Sequence, residues 1–357
     1  MVSSVNPSVS SDSVTAGTRA SSAPSARRQQ KSQGQSAIGT VGRRLLLANV
    51  VAEVGIVVTG GLVRLTGSGL GCPTWPECTD GSLVPVTGQS EGVHKFIEFG
   101  NRLLTFAVLL AAVAALLVVL RPWLARRLPG VPRLGPPGIV RRPLLWLATA
   151  VAVGIMGQAI LGGITVLLDL HPATVAAHFL LSMAMIAAAY VLFRRASDPG
   201  DRPVTVVVRP ELRWLAIALV LIGALVLVLG TVVTGSGPHS GDSEVVTRFD
   251  LDVRMISWLH ADVVLVFLGL ALAFTVGARL AQSPRQVSRA GVALLLASVF
   301  QGAVGYTQYF TGVPVPLVSL HMLGACLVWI ATLEVLLSTR RRGHHVMDHP
   351  EGSVVVA

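Results

Sequence analysis

Charge is what this chain has least of, and the shortage is uneven in sign. Charged residues fill 13% of the 357 positions, with 18 acids against 28 lysines and arginines. With 52% apolar residues and a mean hydropathy of +0.68, a water-soluble globular domain is excluded. Cysteine is also scarce. Only Cys72, Cys78 and Cys326 occur, and with no second closely spaced pair the common four-ligand zinc site is not available. The first forty or so residues lack apolar periodicity and are rich in Ser, Gln, Ala and Arg. Such a segment cannot bury enough surface to offset the entropy of ordering, so residues 1–42 are expected to form a disordered cytoplasmic tail. A cleaved signal peptide is not expected, because the polar stretch before the first apolar run is far longer than such peptides carry.

What the chain does have is long apolar runs between short polar connections. About 20 apolar residues suffice for a helix to cross the bilayer core. The runs predict spans at Leu45–Leu65, His94–Leu120, Leu144–Leu168, Thr174–Phe193, Trp214–Val233, Met255–Val276, Gly291–Phe310 and Val315–Leu337. The expected fold class is an all-α membrane protein with eight transmembrane helices.

Basic residues set the expected orientation, since Lys and Arg gather in cytoplasmic loops. Arg43 and Arg44 precede the first span, and Arg121, Arg126, Arg127, Arg133, Arg141 and Arg142 follow the second. Arg194, Arg195, Arg202, Arg209 and Arg213 follow the fourth, Arg279, Arg285 and Arg289 the sixth, and Arg340 to Arg342 the eighth. The alternate loops carry Glu77, Asp80, Glu91, Asp242, Glu244, Asp250 and Asp252 against Arg248 and Arg254. Both termini are therefore expected in the cytoplasm and the protein in the cell membrane. The net charge of +10 reads as a topology signal spread over short loops, and nucleic-acid binding is not expected. In the tail, His344, His345 and His349 are read as solvated, with nothing apolar to hold a metal site.

The two halves repeat. Thr66-Gly67-Ser68-Gly69 closes the first span and Thr234-Gly235-Ser236-Gly237 the fifth. Asn101 in the second span matches His260 in the sixth, Gln158 and Gly162 match Gln301 and Gly305, and His178 matches His321. Each half holds an even number of spans, so the halves share one orientation and are expected to be related by a pseudo-two-fold axis along the membrane normal. The expected organisation is a tail (1–42), an N-terminal four-helix half (43–195), a C-terminal four-helix half (196–340) and a cytoplasmic tail (341–357), the two halves forming pseudo-symmetric four-helix bundles. At about 1.5 Å of rise per residue, the matched positions lie one to two turns from the outer ends of their helices. Neutral imidazoles on facing helices are axial donors for haem iron, so His260 and His321 point to haem. The competing reading is a pair of hydrogen-bonding helix-contact histidines.

The segments Gly60-Gly61-Leu62-Val63-Arg64-Leu65-Thr66-Gly67-Ser68-Gly69-Leu70-Gly71-Cys72-Pro73 and Glu98-Phe99-Gly100-Asn101-Arg102, with the His178, His260 and His321 helices, resemble the haem A synthases of the cytochrome oxidase assembly group. The resemblance runs from Leu45 to about Leu337. It implies conversion of the C8 methyl of haem O to the formyl of haem A by successive hydroxylations, the inserted oxygen coming from water. It implies that His260 and His321 ligate a tightly held haem b in the C-terminal half, and that the N-terminal half holds the substrate, haem O, through His178. Asn101 stands where the family has its other histidine, and a carboxamide is a poor iron ligand. Either His94, seven residues earlier on the same helical face, supplies the second ligand, or His178 holds the substrate alone. The alternative for His94 is an interfacial histidine at a helix start.

Glu98 is the expected catalytic residue. A carboxylate in an apolar bundle marks a functional site, and the matching family glutamate is taken as catalytic, stabilising a cationic centre or accepting its proton. The alternative is an i,i+4 pair with Arg102. Cys72 and Cys78 lie in an outer loop, where nearby thiols usually form a disulfide; a metal site is the minor reading, and a family disulfide there is thought to handle haem or reductant, with a purely structural clip over the pocket the equal alternative. Arg64 is expected to bind a haem propionate or to snorkel to water. Glu53 is weighed as part of a proton path, His171, His239 and Asp262 as haem-edge contacts, and Cys326 as core. Expected partners are haem O, a haem O synthase, cytochrome oxidase assembly factors and membrane lipid, and a homo-oligomer is compatible with the sequence. Two rivals stand beside the synthase. A membrane b-type cytochrome passing electrons between quinol and a partner needs paired histidines but not Glu98. A transporter built on parallel repeats would bind nearer the midplane.

Overall fold

The computed structural model describes residues 38–127, 142–198, 204–242 and 244–342, apart from the side chains of residues 125 and 126. The N-terminal tail up to residue 37, the tail histidines His344, His345 and His349, and Arg133, Arg141 and Arg202 lie outside the described residues. Among the described residues, eight helices are long and apolar enough to cross a membrane. They are α1 (Gly39–Leu65), α2 (His94–Arg127), α3 (Arg142–Leu167), α4 (Pro172–Ala196), α5 (Pro210–Ser236), α6 (Val253–Leu280), α7 (Arg285–Phe310) and α8 (Val315–Ser338).

The apolar runs locate every helix but understate its length at the arginine-rich end. There α1 starts at Gly39 instead of Leu45, α2 continues to Arg127 past Leu120, and α7 starts at Arg285 instead of Gly291. Residues 39–42, expected in the tail, belong to α1. Hydropathy marks the hydrocarbon zone, whereas the helix carries on to headgroup level, where arginine stems reach along the apolar surface to water. Local chemistry sets several starts. Pro172 and Pro210 stand at first helical positions, where the missing N–H removes no helix bond. Asp252 caps α6 by accepting from the Met255 amide at 2.6 Å, and His171 caps α4 through Nδ1.

Helix α1 packs on α2 and α4, and α3 on α2 and α4; likewise α5 packs on α6 and α8, and α7 on α6 and α8. The first four meet the last four where α8 touches α1 and α4, and where α4 touches α5. The described residues belong to one compact unit. Ties across it occur at three depths. At the cysteine-loop end, Arg64 Nε donates to the His239 carbonyl at 2.8 Å and the Gly69 amide to the Gly241 carbonyl at 2.9 Å. In the middle, Trp329 Nε1 donates to the Met183 carbonyl at 3.0 Å, beside the fully buried Cys326. At the arginine-rich end, Arg194 forms a two-point ion pair with Glu334 at 2.6 and 2.7 Å, and Tyr190 donates to the same carboxylate at 2.8 Å.

A feature absent from the sequence reading closes that end. Strand β1 (Val204–Val206) pairs antiparallel with β2 (Arg340–Arg342), Val204 opposite Arg342 and Val206 opposite Arg340. Arg341 and Arg342, expected at the start of the tail, are therefore held in a ribbon.

Candidate functional site

His178 and His321 are each the seventh residue of their helices, α4 and α8, and Asn101 and His260 each the eighth of α2 and α6. All four thus lie about 9–11 Å along the axis from the helix start. Their surroundings repeat as the alignment of halves expects. Gln158 Nε2 donates to the His178 carbonyl at 3.1 Å, and Gln301 Nε2 to the His321 carbonyl at 2.8 Å. Each imidazole lies against a glycine. A Cβ on Gly162 would stand 3.2 Å from Cε1 of His178, on Gly305 3.1 Å from that of His321, and on Gly230 3.3 Å from that of His260. A side chain at any of the three would require the ring beside it to give by a few tenths of an ångström.

Helices α6 and α8 each pack on α5 and α7, with His260 against Gly230 of α5 and His321 against Gly305 of α7. Nδ1 of His260, His321 and His178 is buried without a hydrogen-bond partner. An iron porphyrin needs buried imidazole donors on separate helices, and His260 and His321 fit that need.

The first half is built differently. Asn101 is already committed, its Oδ1 accepting from Thr59 Oγ1 of α1 at 2.8 Å. His94 pairs through Nδ1 with Ser68 Oγ at 2.7 Å, in the turn after α1 where Gly67 takes a left-handed φ of 66°. Arg64 spends its guanidinium on the carbonyls of His239 and Thr234. His239 in turn bonds the Val313 carbonyl at 2.9 Å, while His171 is an exposed cap and Asp262 is exposed on α6.

Glu98 is buried, with 6% of its surface exposed. Its Oε1 accepts from Arg102 Nη2 at 2.6 Å and Nε at 3.0 Å, so the i,i+4 pair weighed as the alternative is formed. Its Oε2 accepts from the Cys72 amide at 2.7 Å. Arg102 donates further to the carbonyls of Cys72, Thr74 and Glu77 at 2.9, 3.0 and 3.1 Å. Cys72 and Cys78 are disulfide-bonded and fully buried. The carboxylate and guanidinium together therefore hold the cysteine loop onto α2. Among the described residues no hydrogen bond links Glu98 to Asn101 or His178.

Two residues escaped the sequence reading. The Trp75 indole of the cysteine loop lies where a Cβ on Gly163 would be, next to the glycine that seats His178. Met322, which follows His321, lies where a Cβ on Gly61 of α1 would be. The signals were glycines adjoining the histidine contacts, but which side chain fills such a notch depends on contacts distant in sequence.

Compared with known proteins, residues 43–333 match the family described as cytochrome oxidase assembly protein. The chain is 32% identical over 191 residues to a haem A synthase of Lysinibacillus sphaericus (strain C3-41), covering 52% of this chain and 56% of the relative. It is 28% identical over 162 residues to a haem A synthase of Alkalihalophilus pseudofirmus, covering 44% and 48%. The chain spans about half the length of these relatives. With the family match extending across all eight helices, the chain belongs to the cytochrome oxidase assembly protein family.

Proposed function

We propose that this protein is a haem A synthase, an oxidoreductase of the cell membrane with both termini cytoplasmic, converting haem O to haem A for cytochrome oxidase assembly. The observation that carries the reading is the repeated Gln–Gly–His setting, formed by Gln158, Gly162 and His178 and again by Gln301, Gly305 and His321. In this reading the chain is two four-helix halves, a division supported by the order of helix contacts. His260 and His321 would hold haem b, which when bound supplies one-electron transfer. The other half would receive haem O, delivered by a haem O synthase, with His178 as the iron ligand on α4. Asn101, bonded to Thr59, leaves that site one strong donor short, which suits a substrate that must leave as product. His94 remains the candidate second ligand through Nε2, since its bond to Ser68 is made by Nδ1.

Each hydroxylation would replace a hydrogen of the methyl carbon with a hydroxyl from water, passing two protons to solvent and two electrons to an external one-electron acceptor, and the diol left by the second would lose water to give the formyl group. The chain's own contribution would be Glu98. Paired with Arg102, the carboxylate could stabilise a developing cation or take up its proton. Burial under the cysteine loop keeps bulk water from screening that charge. The formed Glu98–Arg102 pair also gives the second reading its support, because a carboxylate occupied in holding a loop suits a membrane b-type cytochrome that only transfers electrons. Extraction and chromatography of the haem bound to purified protein separates the two. The synthase reading expects haem b together with haem O or haem A, and haem A formation when haem O is supplied. Haem b alone, with no conversion, would overturn it.

A further inference from the structure

The arginine-rich end of the bundle contains a cavity of about 220 Å³ that no step of the proposed chemistry uses. Four separate segments build it: the last turn of α4, strand β1, the first turn of α7, and the end of α8 with strand β2. Arg194, Arg195, Arg340, Arg341 and Arg342 line it, and Asp198 is the single acid in the lining among the described residues. Arg194 forms an ion pair with Glu334, and Arg195, Asp198 and Arg342 also have partners. Gln286, the second residue of α7, adds the positive end of a 26-residue helix to the same wall.

An excess of basic residues at this end of a membrane protein follows from topology alone, and arginines free in loops would spread apart in water. Here they do not spread. The β1–β2 ribbon fixes Arg340 to Arg342 opposite α4, at the cost of confining like charges. Burial lowers the pKa of Arg340, and the neighbouring Arg195, Arg213 and Arg342 lower it further, with Asp198 the opposing charge. An oxyanion with several acceptor oxygens offsets that crowding, because guanidinium forks match phosphate geometry. The cavity sits just beyond the last turns of α4 and α8, and Leu337 and Val204 give it an apolar flank. Basic pockets between helix ends on the arginine-rich side of membrane proteins commonly receive anionic headgroups.

We propose that this cavity is a binding site for a phosphate group, that of an anionic phospholipid headgroup or of free phosphate.

The full chain is purified and placed in nanodiscs of phosphatidylcholine alone, of phosphatidylcholine with phosphatidylglycerol, or of phosphatidylcholine with inorganic phosphate added to the buffer. Phosphatidylglycerol is expected to raise the melting temperature by about 3 °C. The rise should fall by at least half in Arg340→Gln and Arg341→Gln, and persist in Arg254→Gln at the other end of the molecule. A rise of the same variant dependence with inorganic phosphate instead assigns the site to an ion from solution. Should Arg340→Gln fail to fold, native mass spectrometry of the unaltered protein decides. Preferential retention of phosphatidylglycerol, or of phosphate, over phosphatidylcholine supports the site, and equal retention overturns it. Equal rises in all variants, or none with either ligand, also overturn it.

Discussion

Glu98 bears two loads that a single substitution can separate. Glu98→Gln keeps an acceptor for the Cys72 amide while removing the charge opposite Arg102. If the carboxylate takes part in the chemistry, haem O conversion should fall by about 100-fold or more with the haem b spectrum unchanged; normal turnover would leave Glu98 as the fastening of the cysteine loop. The histidines separate the two sites in the same way. His260→Ala or His321→Ala should abolish the low-spin haem spectrum of the purified protein. His178→Ala should leave that spectrum and lose bound haem O and haem A, measured by haem extraction. Loss of haem b from His178→Ala would refute the division of the sites. At this scale the sequence was most legible where the repeat spoke twice. Gln158 with His178 and Gln301 with His321 share both spacing and bond. Arg64 was not legible, since its partner carbonyls at His239 and Thr234 are 175 and 170 residues away.

Among the elements, the helices were written in the hydropathy and the ribbon was not. Eight apolar runs located eight helices because a backbone in hydrocarbon must satisfy its own hydrogen bonds. The strands β1 and β2 carry three residues each, and their pairing joins segments 136 residues apart. Such a pairing leaves no period to read. The contact between α4 and α8 is likewise a tertiary fact, and its ion pair is testable. The Arg194 and Glu334 side chains retain 34% and 27% exposure. Glu334→Gln should therefore destabilise the protein by about 1–3 kcal/mol, less than for a fully buried pair. Thermal unfolding should show a lowered midpoint, with the haem b spectrum intact in the folded fraction.

For the whole molecule, the arginine-rich loops predict topology. A reporter active only in the cytoplasm should function when fused after Ala357 and fail when inserted in the loop between α1 and α2; the reverse result would invert the molecule in the membrane. By itself the sequence determined that the chain lies in a bilayer, how many times it crosses, and which positions of its halves correspond. Those properties follow from the cost of burying backbone and charge in lipid, which acts on each segment independently. Only the tertiary structure decided that Glu98 and Arg102 clasp the cysteine loop, that Asn101 is bonded to Thr59, and that Arg340 to Arg342 are gathered beside α4. Contacts of this kind join segments far apart in the chain, and their partners are chosen by packing geometry that no local pattern records.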